Sequence, residues 1–288
     1  MDFYSAALLQ GLGYAAMGLG IFISLRIFNI PDITTDGSFT LGGVITAVLI
    51  TAGYNSGLVL TAALAGGALA GLASGLIHTR LKVNPLLAGI LVMTALYSVN
   101  LSIMGRSNLP LMNVITIFDS AGITADPVVN QWIIFTLITC ALCAILTWLL
   151  KTDYGIVMRA TGNNEQMVRA SGMNTDTMKL AGLALANALT AMSGYLLVQY
   201  QGFADINMGI GIVISGLAAV MIAEALGRLF KIHKILYQVL LVILGCILFR
   251  LILAFTLSLG LNPNYLKLVT ALIVLLVLML TRFKTSAR

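Results

Sequence analysis

From Leu58 to Ile77, Leu86 to Met104, Gln131 to Leu150 and Leu180 to Tyr200 the chain carries no Asp, Glu, Lys or Arg. A helix of about 20 such residues is as long as the hydrocarbon core of a bilayer is thick. In lipid the backbone must satisfy its own N–H and C=O groups, so such a chain spans as helices or as a closed barrel. Barrel strands are ~10-residue segments of alternating polarity, whereas these runs are long and continuous. Helices are therefore expected. Composition extends the argument to the whole length: 59% of residues are hydrophobic, 9% are charged, and the mean hydropathy is +1.01. A soluble domain averages about 25% charged residues. The chain is read as an all-α polytopic membrane protein of roughly nine transmembrane helices, with eight to ten allowed. It forms one membrane domain over residues 1–288.

Taken in order, residues 4–25 form the first crossing, closed by Arg26. Residues 28–38, FNIPDITTDGS, are polar, and the apolar run Phe39 to Ala52 after them is short for a straight span. Short, glycine-interrupted segments occur where transporters break a helix beside a substrate path; a plain loop and a tilted helix is the alternative. In the third crossing, Gly67, Gly71 and Gly75 make a small-residue stripe at which another helix can approach closely. Asn84-Pro85 opens the fourth, Pro being tolerated where the missing N–H would be unpaired. Residues 106–130 are a loop and Gln131 to Leu150 the fifth crossing. A polar loop, 151–179, separates it from the sixth, Leu180 to Tyr200, which holds Asn187. Gly209 to Leu226 is the seventh crossing, Ile235 to Phe255 the eighth with Arg250 inside it, and Leu266 to Leu280 the ninth.

With an outside N-terminus, this count places Arg26, Arg80, Lys82, Lys151, Arg159, Arg169, Lys179, Arg228, Lys231, Lys234, Arg282, Lys284 and Arg288 on one side. The other side receives Arg106 and Lys267. Lys and Arg accumulate in cytoplasmic loops, so loop 151–179 and the C-terminus are expected in the cytoplasm. The net charge of +6 has the same origin and implies no nucleic-acid partner. No polar stretch or cleavage site marks the first helix as a signal peptide, so it reads as retained.

Catalytic patterns are missing. There is no HExxH, GxSxG or phosphate-cradling GxxxxGK[ST]. His78 and His233 fall on separate basic turns, and Cys140-x-x-Cys143 falls inside an apolar run, where packing is the plainer role. If ATP drives this protein, another subunit supplies the ATPase. Few polar residues enter the crossings. Arg250 lines a path or snorkels outward, and Asn187 makes a helix–helix hydrogen bond or lines a path. A proton-coupled carrier would bury several carboxylates at mid-membrane, and the chain does not obviously do so.

Loop 151–179 is the most informative stretch. Asn163 with Gln166 resembles a capping box, Glu165 and Arg169 are spaced four apart in the favourable order, and Gly172 is a natural stop. A short cytoplasmic helix of about Asn164 to Ser171 is expected. Met167 and Val168 have nothing within the loop to bury them, which leaves the membrane surface or a partner's groove.

Residues 155–226, beginning GIVMRATGNNEQMVRASG, resemble the permeases of ABC importers, specifically the branched-chain amino acid and ribose group. Gly155, Arg159, Ala160, Arg169, Ala170, Gly172, Lys179 and Gly194 fit that group's pattern. PDITTDGSFTLGG, residues 31–43, stands where its sugar permeases have D-L-S-x-G. Thr34 and Thr35 replace the Leu-Ser there, so sugar contacts do not carry over. The resemblance implies a fold like the type II ABC importers and a short helix that couples to the ATPase, placing Arg159, Asn163, Glu165, Met167, Arg169 and Gly172 at that contact. It implies as partners a cytoplasmic ATPase dimer holding ATP and Mg, an extracytoplasmic solute-binding protein and a second permease copy in a bacterial inner membrane. No cofactor is expected on this chain. Asp36, Asn187 and Arg250 are the candidate path residues. The stretch PDITTDGS looks most like a branch some of whose members are associated with tryptophan or other aromatic amino acids.

Overall fold

The computed structural model describes residues 3–112, 114–120, 126–232, 234–260, 262 and 265–286; His233 and Arg288 lie outside them. Helix α1 (Phe3–Ile21) passes directly into a π-helical turn, Phe22–Ile27. Then follow α2 (Thr34–Thr51), α3 (Ser56–Arg80), α4 (Pro85–Met104), strand β1 (Asn108–Pro110), α5 (Ile117–Ser120) and α6 (Pro127–Lys151). The polar loop holds α7 (Asp153–Asn163) and α8 (Glu165–Ala170). The chain continues with α9 (Thr175–Gln201), β2 (Phe203–Asp205), α10 (Ile212–Leu229), α11 (Ile235–Ser258) and α12 (Leu266–Ser286). Among the described residues seven helices are long and apolar enough to cross a membrane: α1 with its π turn, α3, α4, α6, α9, α10 and α11. The architecture is that of an all-α polytopic membrane protein, with one small antiparallel pairing of β1 and β2 across two loops.

Side-chain caps set most of the starts. The Asn55, Asn84 and Asp126 side chains accept the N–H groups of Gly57, Leu86 and Val128 at 2.8, 3.0 and 2.9 Å. Each satisfies a donor that the first helical turn leaves unpaired. Pro85 and Pro127 stand in the first turns of α4 and α6, where no N–H is missed.

α1, α2 and α9 make the centre. Tyr195, Leu196, Leu197 and Val198 of α9 and Leu9, Ala15 and Leu19 of α1 are almost wholly buried. The remaining long helices bury one face and expose residues such as Leu69, Leu91, Leu137, Ile145 and Trp148, as lipid-facing surfaces do. Without a hydrophobic difference between lipid and Leu, helices associate through close backbone packing. The glycine stripe of α3 does this: Gly67, Gly71 and Gly75 lie on Asn187, Leu183 and Leu180 of α9. Gly42 and Gly194 bring α2 and α9 together in the same way.

Several helix boundaries differ from the sequence reading, and α9 begins at Thr175 rather than Leu180, on its Asn174 cap. The second segment is one unbroken helix of 18 residues, beginning at Thr34 rather than Phe39. Its polar first turn is not a loop because Asp32 accepts the Thr34 N–H at 2.9 Å and starts the helix early. α6 likewise starts at Pro127, four residues before Gln131, on its Asp126 cap.

The α3–α9 contact yields a prediction. A leucine at Gly71 would drive a side chain into the Leu183 carbonyl, and overpacking of this kind costs about 1–3 kcal/mol. Gly71→Leu should lower the melting temperature of the detergent-purified protein. Gly57→Ala, where an added Cβ meets only Asn55 Oδ1 at 3.5 Å, should not. Equal melting of both variants would contradict the packing account.

Candidate functional site

The polar loop is two helices and not one. Thr152 caps α7 by accepting the Gly155 N–H at 3.3 Å. Asn163 does not cap the short helix: it is the last residue of α7. The cap is Asn164, whose backbone is extended (φ −153°) and whose Oδ1 accepts the Met167 N–H at 3.1 Å. A cap must leave helical geometry, and Asn163 has not yet done so. The stop falls where expected. Gly172 has φ +81°, its N–H donates to the Arg169 carbonyl at 3.0 Å, and the Met173 N–H donates to Val168 at 3.3 Å. That pair of bonds is a Schellman closure, which needs the left-handed residue that glycine supplies.

Charges then fix α8 on the start of α9. Arg169 donates to Glu165 Oε1 at 2.8 Å, to Asp176 Oδ1 at 2.9 Å and to Thr175 Oγ1 at 2.8 Å. Lys179 Nζ donates to Glu165 Oε2 at 2.6 Å. Partial burial pushes the Glu165 carboxyl up. The Lys179 bond and charge, followed by Arg169 and Thr175, outweigh it and hold the group below its ordinary value of 4.5. The two apolar residues separate: Val168 is buried, while Met167 is 65% exposed at the tip. Arg159 is half-buried on α7 and bonds the Gly155 carbonyl at 3.4 Å. α7 is seated on the π-helical turn, where Gly162 meets the Ile27 carbonyl and Phe28.

The three polar candidates in the membrane part lie apart from this loop. Asn187, near the middle of α9, is wholly buried. It donates to Asp32 Oδ2 at 2.7 Å and to the Leu183 carbonyl at 3.0 Å, and accepts from Ser38 Oγ at 2.6 Å. Asp36, 7% exposed, accepts the Gly211 N–H at 2.9 Å and the Val213 N–H at 2.8 Å. It supplies the cap that α10 lacks of its own, since Gly211 has no side chain. A buried N–H left without an acceptor costs about 1–3 kcal/mol. The Arg250 guanidinium lies 3.5 Å over the Tyr14 ring, a cation–π contact that suits a cation held among apolar helices. Tyr14 in turn stacks on Phe39 with centroids 5.8 Å apart.

The structure thus brings together Glu165, Met167, Arg169 and Gly172 with Asn164, Thr175, Asp176 and Lys179. Asp36, Asn187 and Arg250 each occupy a separate contact. Asp32 escaped the sequence reading, although it shares a polar stretch with Asp36. No spacing rule pairs it with Asn187, 155 residues away. Among the described residues no group of three or more His, Cys, Asp or Glu is placed to hold a metal ion. What the arrangement presents is an exposed short helix, held to the start of α9 by ion pairs, on a helical membrane body.

Compared with known proteins, residues 3–279 match the model of the family described as "Branched-chain amino acid transport system / permease component". The tyrosine transport system permease protein of Clostridioides difficile (strain R20291) is 37% identical over 267 residues, covering 92% of this chain and 87% of that one. The galactofuranose transporter permease protein of Escherichia coli (strain K12) is 26% identical over 272 residues, covering 92% of this chain and 75% of that one. Among solved structures, an ABC transporter assigned to the metal-chelate type, in an inward-facing conformation, has a TM-score of 0.51 at 15% identity and covers 98% of this chain and 85% of that one. That last likeness shows the fold alone.

Two outcomes test the loop. Asn164→Ala should destabilise α8 by about 1 kcal/mol and raise trypsin cleavage within 151–179 severalfold, whereas Asn163→Ala should leave cleavage unchanged. Because folding depresses the Glu165 pKa, its ties are complete above 4.5 and are lost as pH falls through the lower folded value. Loop mobility, read by a spin label at Met167, should rise in that acidic window and stay flat above pH 5 (roughly one-half unit beyond the unfolded value).

Proposed function

The chain belongs to the branched-chain amino acid transport system permease family, and we propose that its solute is an aromatic amino acid and that driving force reaches it through α8. It is a multi-pass inner-membrane permease subunit of an ABC-type importer for a small solute. ATP is hydrolysed by a separate ATPase subunit, not by this chain. The observation that carries the coupling reading is Met167: a large apolar side chain, 65% exposed, on a helix pinned by two carboxylates and two cations. A flexible loop would spend force on its own bending, whereas a pinned helix passes it on to α9. Met suits a hydrophobic groove because its unbranched side chain adapts to the partner's shape.

In this reading α8 inserts into the ATPase, with Glu165, Arg169 and Gly172 setting its shape, Arg159 and Asn163 on α7 flanking it, and Asn164 joining them as cap. The importer is completed by an ATPase dimer, an extracytoplasmic solute-binding protein and a second copy of this chain. α2 and α12 complete nine membrane helices in the type II arrangement. The path passes Asp36 and Arg250, with Asn187 anchoring α2 behind it. Support for the solute class comes from the 37% identity to a permease named for tyrosine transport.

Met167→Asp should abolish co-purification with the cognate ATPase while membrane insertion stays normal; retained assembly would sink the docking role. In proteoliposomes with ATPase and binding protein, tyrosine or tryptophan uptake should require ATP. Uptake that continues without ATP and collapses with an uncoupler would instead mark a secondary transporter. Preference for leucine or a sugar would remove the aromatic assignment.

A further inference from the structure

α10 starts against α2. α9 ends at Gln201, and β2 pairs with β1, their Ala204 and Leu109 packed with Val44, Ala47 and Val198. From there the chain turns back along α2: Met208 packs on Gly43, and Gly209 lies against the Asp36 carbonyl and Thr40. α10 begins at the level of Asp36, within one turn of Ser38, which bonds Asn187 near the middle of α9. The Ile212 N–H returns to Gly209 at 3.1 Å, and the Gly211 and Val213 N–H groups depend on the Asp36 carboxylate. One side chain of α2 therefore accepts two N–H groups at the half-buried start of α10.

The rest of α10 is held elsewhere. Gly216 packs on Ile21 of α1, and Ala219 packs on Gly245 of α11. At its far end Glu224 pairs with Arg26 at 3.2 Å and Arg228 at 3.4 Å. Arg26 belongs to the π-helical turn, the same turn on which Gly162 of α7 sits. Gly209 and Gly211 (φ +83°) form a joint at the clasped end, where close approach to α2 and a left-handed backbone both call for glycine. α10 is thus tied at one end to the turn that carries the polar loop and jointed at the Asp36 end.

We propose that the Asp36 carboxylate and the α10 N-terminus form a releasable clasp, opened and closed as α10 moves against α2. Asp36 is then a positioning residue that sets the balance between two conformations, and α10 is the element that the loop displaces through the π-helical turn. Packed contacts run from one to the other, and the clasp is the two-state element that both ends would bias. The transport context rests on the permease reading; the clasp itself is tested without it.

The test is amide hydrogen exchange of the full chain in lipid nanodiscs. A releasable clasp opens locally, so the Gly211 and Val213 amides should exchange at least tenfold faster than those of Ala191 and Leu197 in α9 (a ratio of roughly ten is 1.4 kcal/mol in opening free energy). Asp36→Asn keeps the shape but has one acceptor oxygen for two donors. It should accelerate segment 209–214 about tenfold further and leave α9 unchanged. The proposal is overturned if the two amides are as protected as α9 in the wild type, which means a permanent cap. It is equally overturned if Asp36→Asn accelerates α9 as much as α10, which means a merely structural residue. Either result leaves ATP-driven uptake, measured separately, to decide the permease reading.

Discussion

Everything in this chain answers to one rule of the bilayer: a backbone N–H or C=O inside it must find a partner within the protein. Most of the molecule obeys by forming long helices. The exceptions are informative because they are expensive. α2 and α10 each begin on a carboxylate supplied by the protein: Asp32 takes the Thr34 N–H, and Asp36 takes those of Gly211 and Val213. Asn187 joins the first of these to α9. The buried polar residues thus make the irregular starts possible, and the irregular starts place α10 against α2.

The same economy of polar groups governs the loop outside. Surface ion pairs are worth little singly, about 0–1 kcal/mol. Here Glu165 is shared by Arg169 and Lys179, and Arg169 is shared by Glu165, Asp176 and Thr175. Together with the Asn164 cap and the Gly172 closure they hold a six-residue helix that would be unstable alone, since isolated helices shorter than about 12 residues are marginal. That network presents Met167, exposed, at the tip of the helix. The seat of Gly162 on the π-helical turn then ties the loop to the membrane body at a second place.

Much of this was legible in the sequence. The uncharged runs announced the spanning helices, Asn84-Pro85 announced the start of α4, and Gly67, Gly71 and Gly75 announced a close helix contact that proved to be with α9. Glu165–Arg169 and Gly172 followed from spacing rules that operate within one or two turns. The misreadings were equally local. Asn163 and Asn164 are adjacent and chemically identical, and only the backbone angle distinguishes the cap. The polar run TTDGS looked like a loop because its partners, Asp32 and the distant α10 N-terminus, could not be seen together. α7 was missed because its polar face hid a helix.

The sequence by itself determined that this chain lives in a membrane, which of its loops is the elaborate one, and that it carries no ATPase motif. Hydropathy, charge and motif are properties of neighbouring residues, so they survive without a fold. The tertiary structure alone decided that Asp36 caps α10, that Asn187 binds Asp32 and that Arg250 rests on Tyr14. Those pairings join residues separated by 155, 175 and 236 positions. In hydrocarbon a polar side chain takes whichever partner the packing brings within about 3 Å, and no rule of spacing chooses it beforehand.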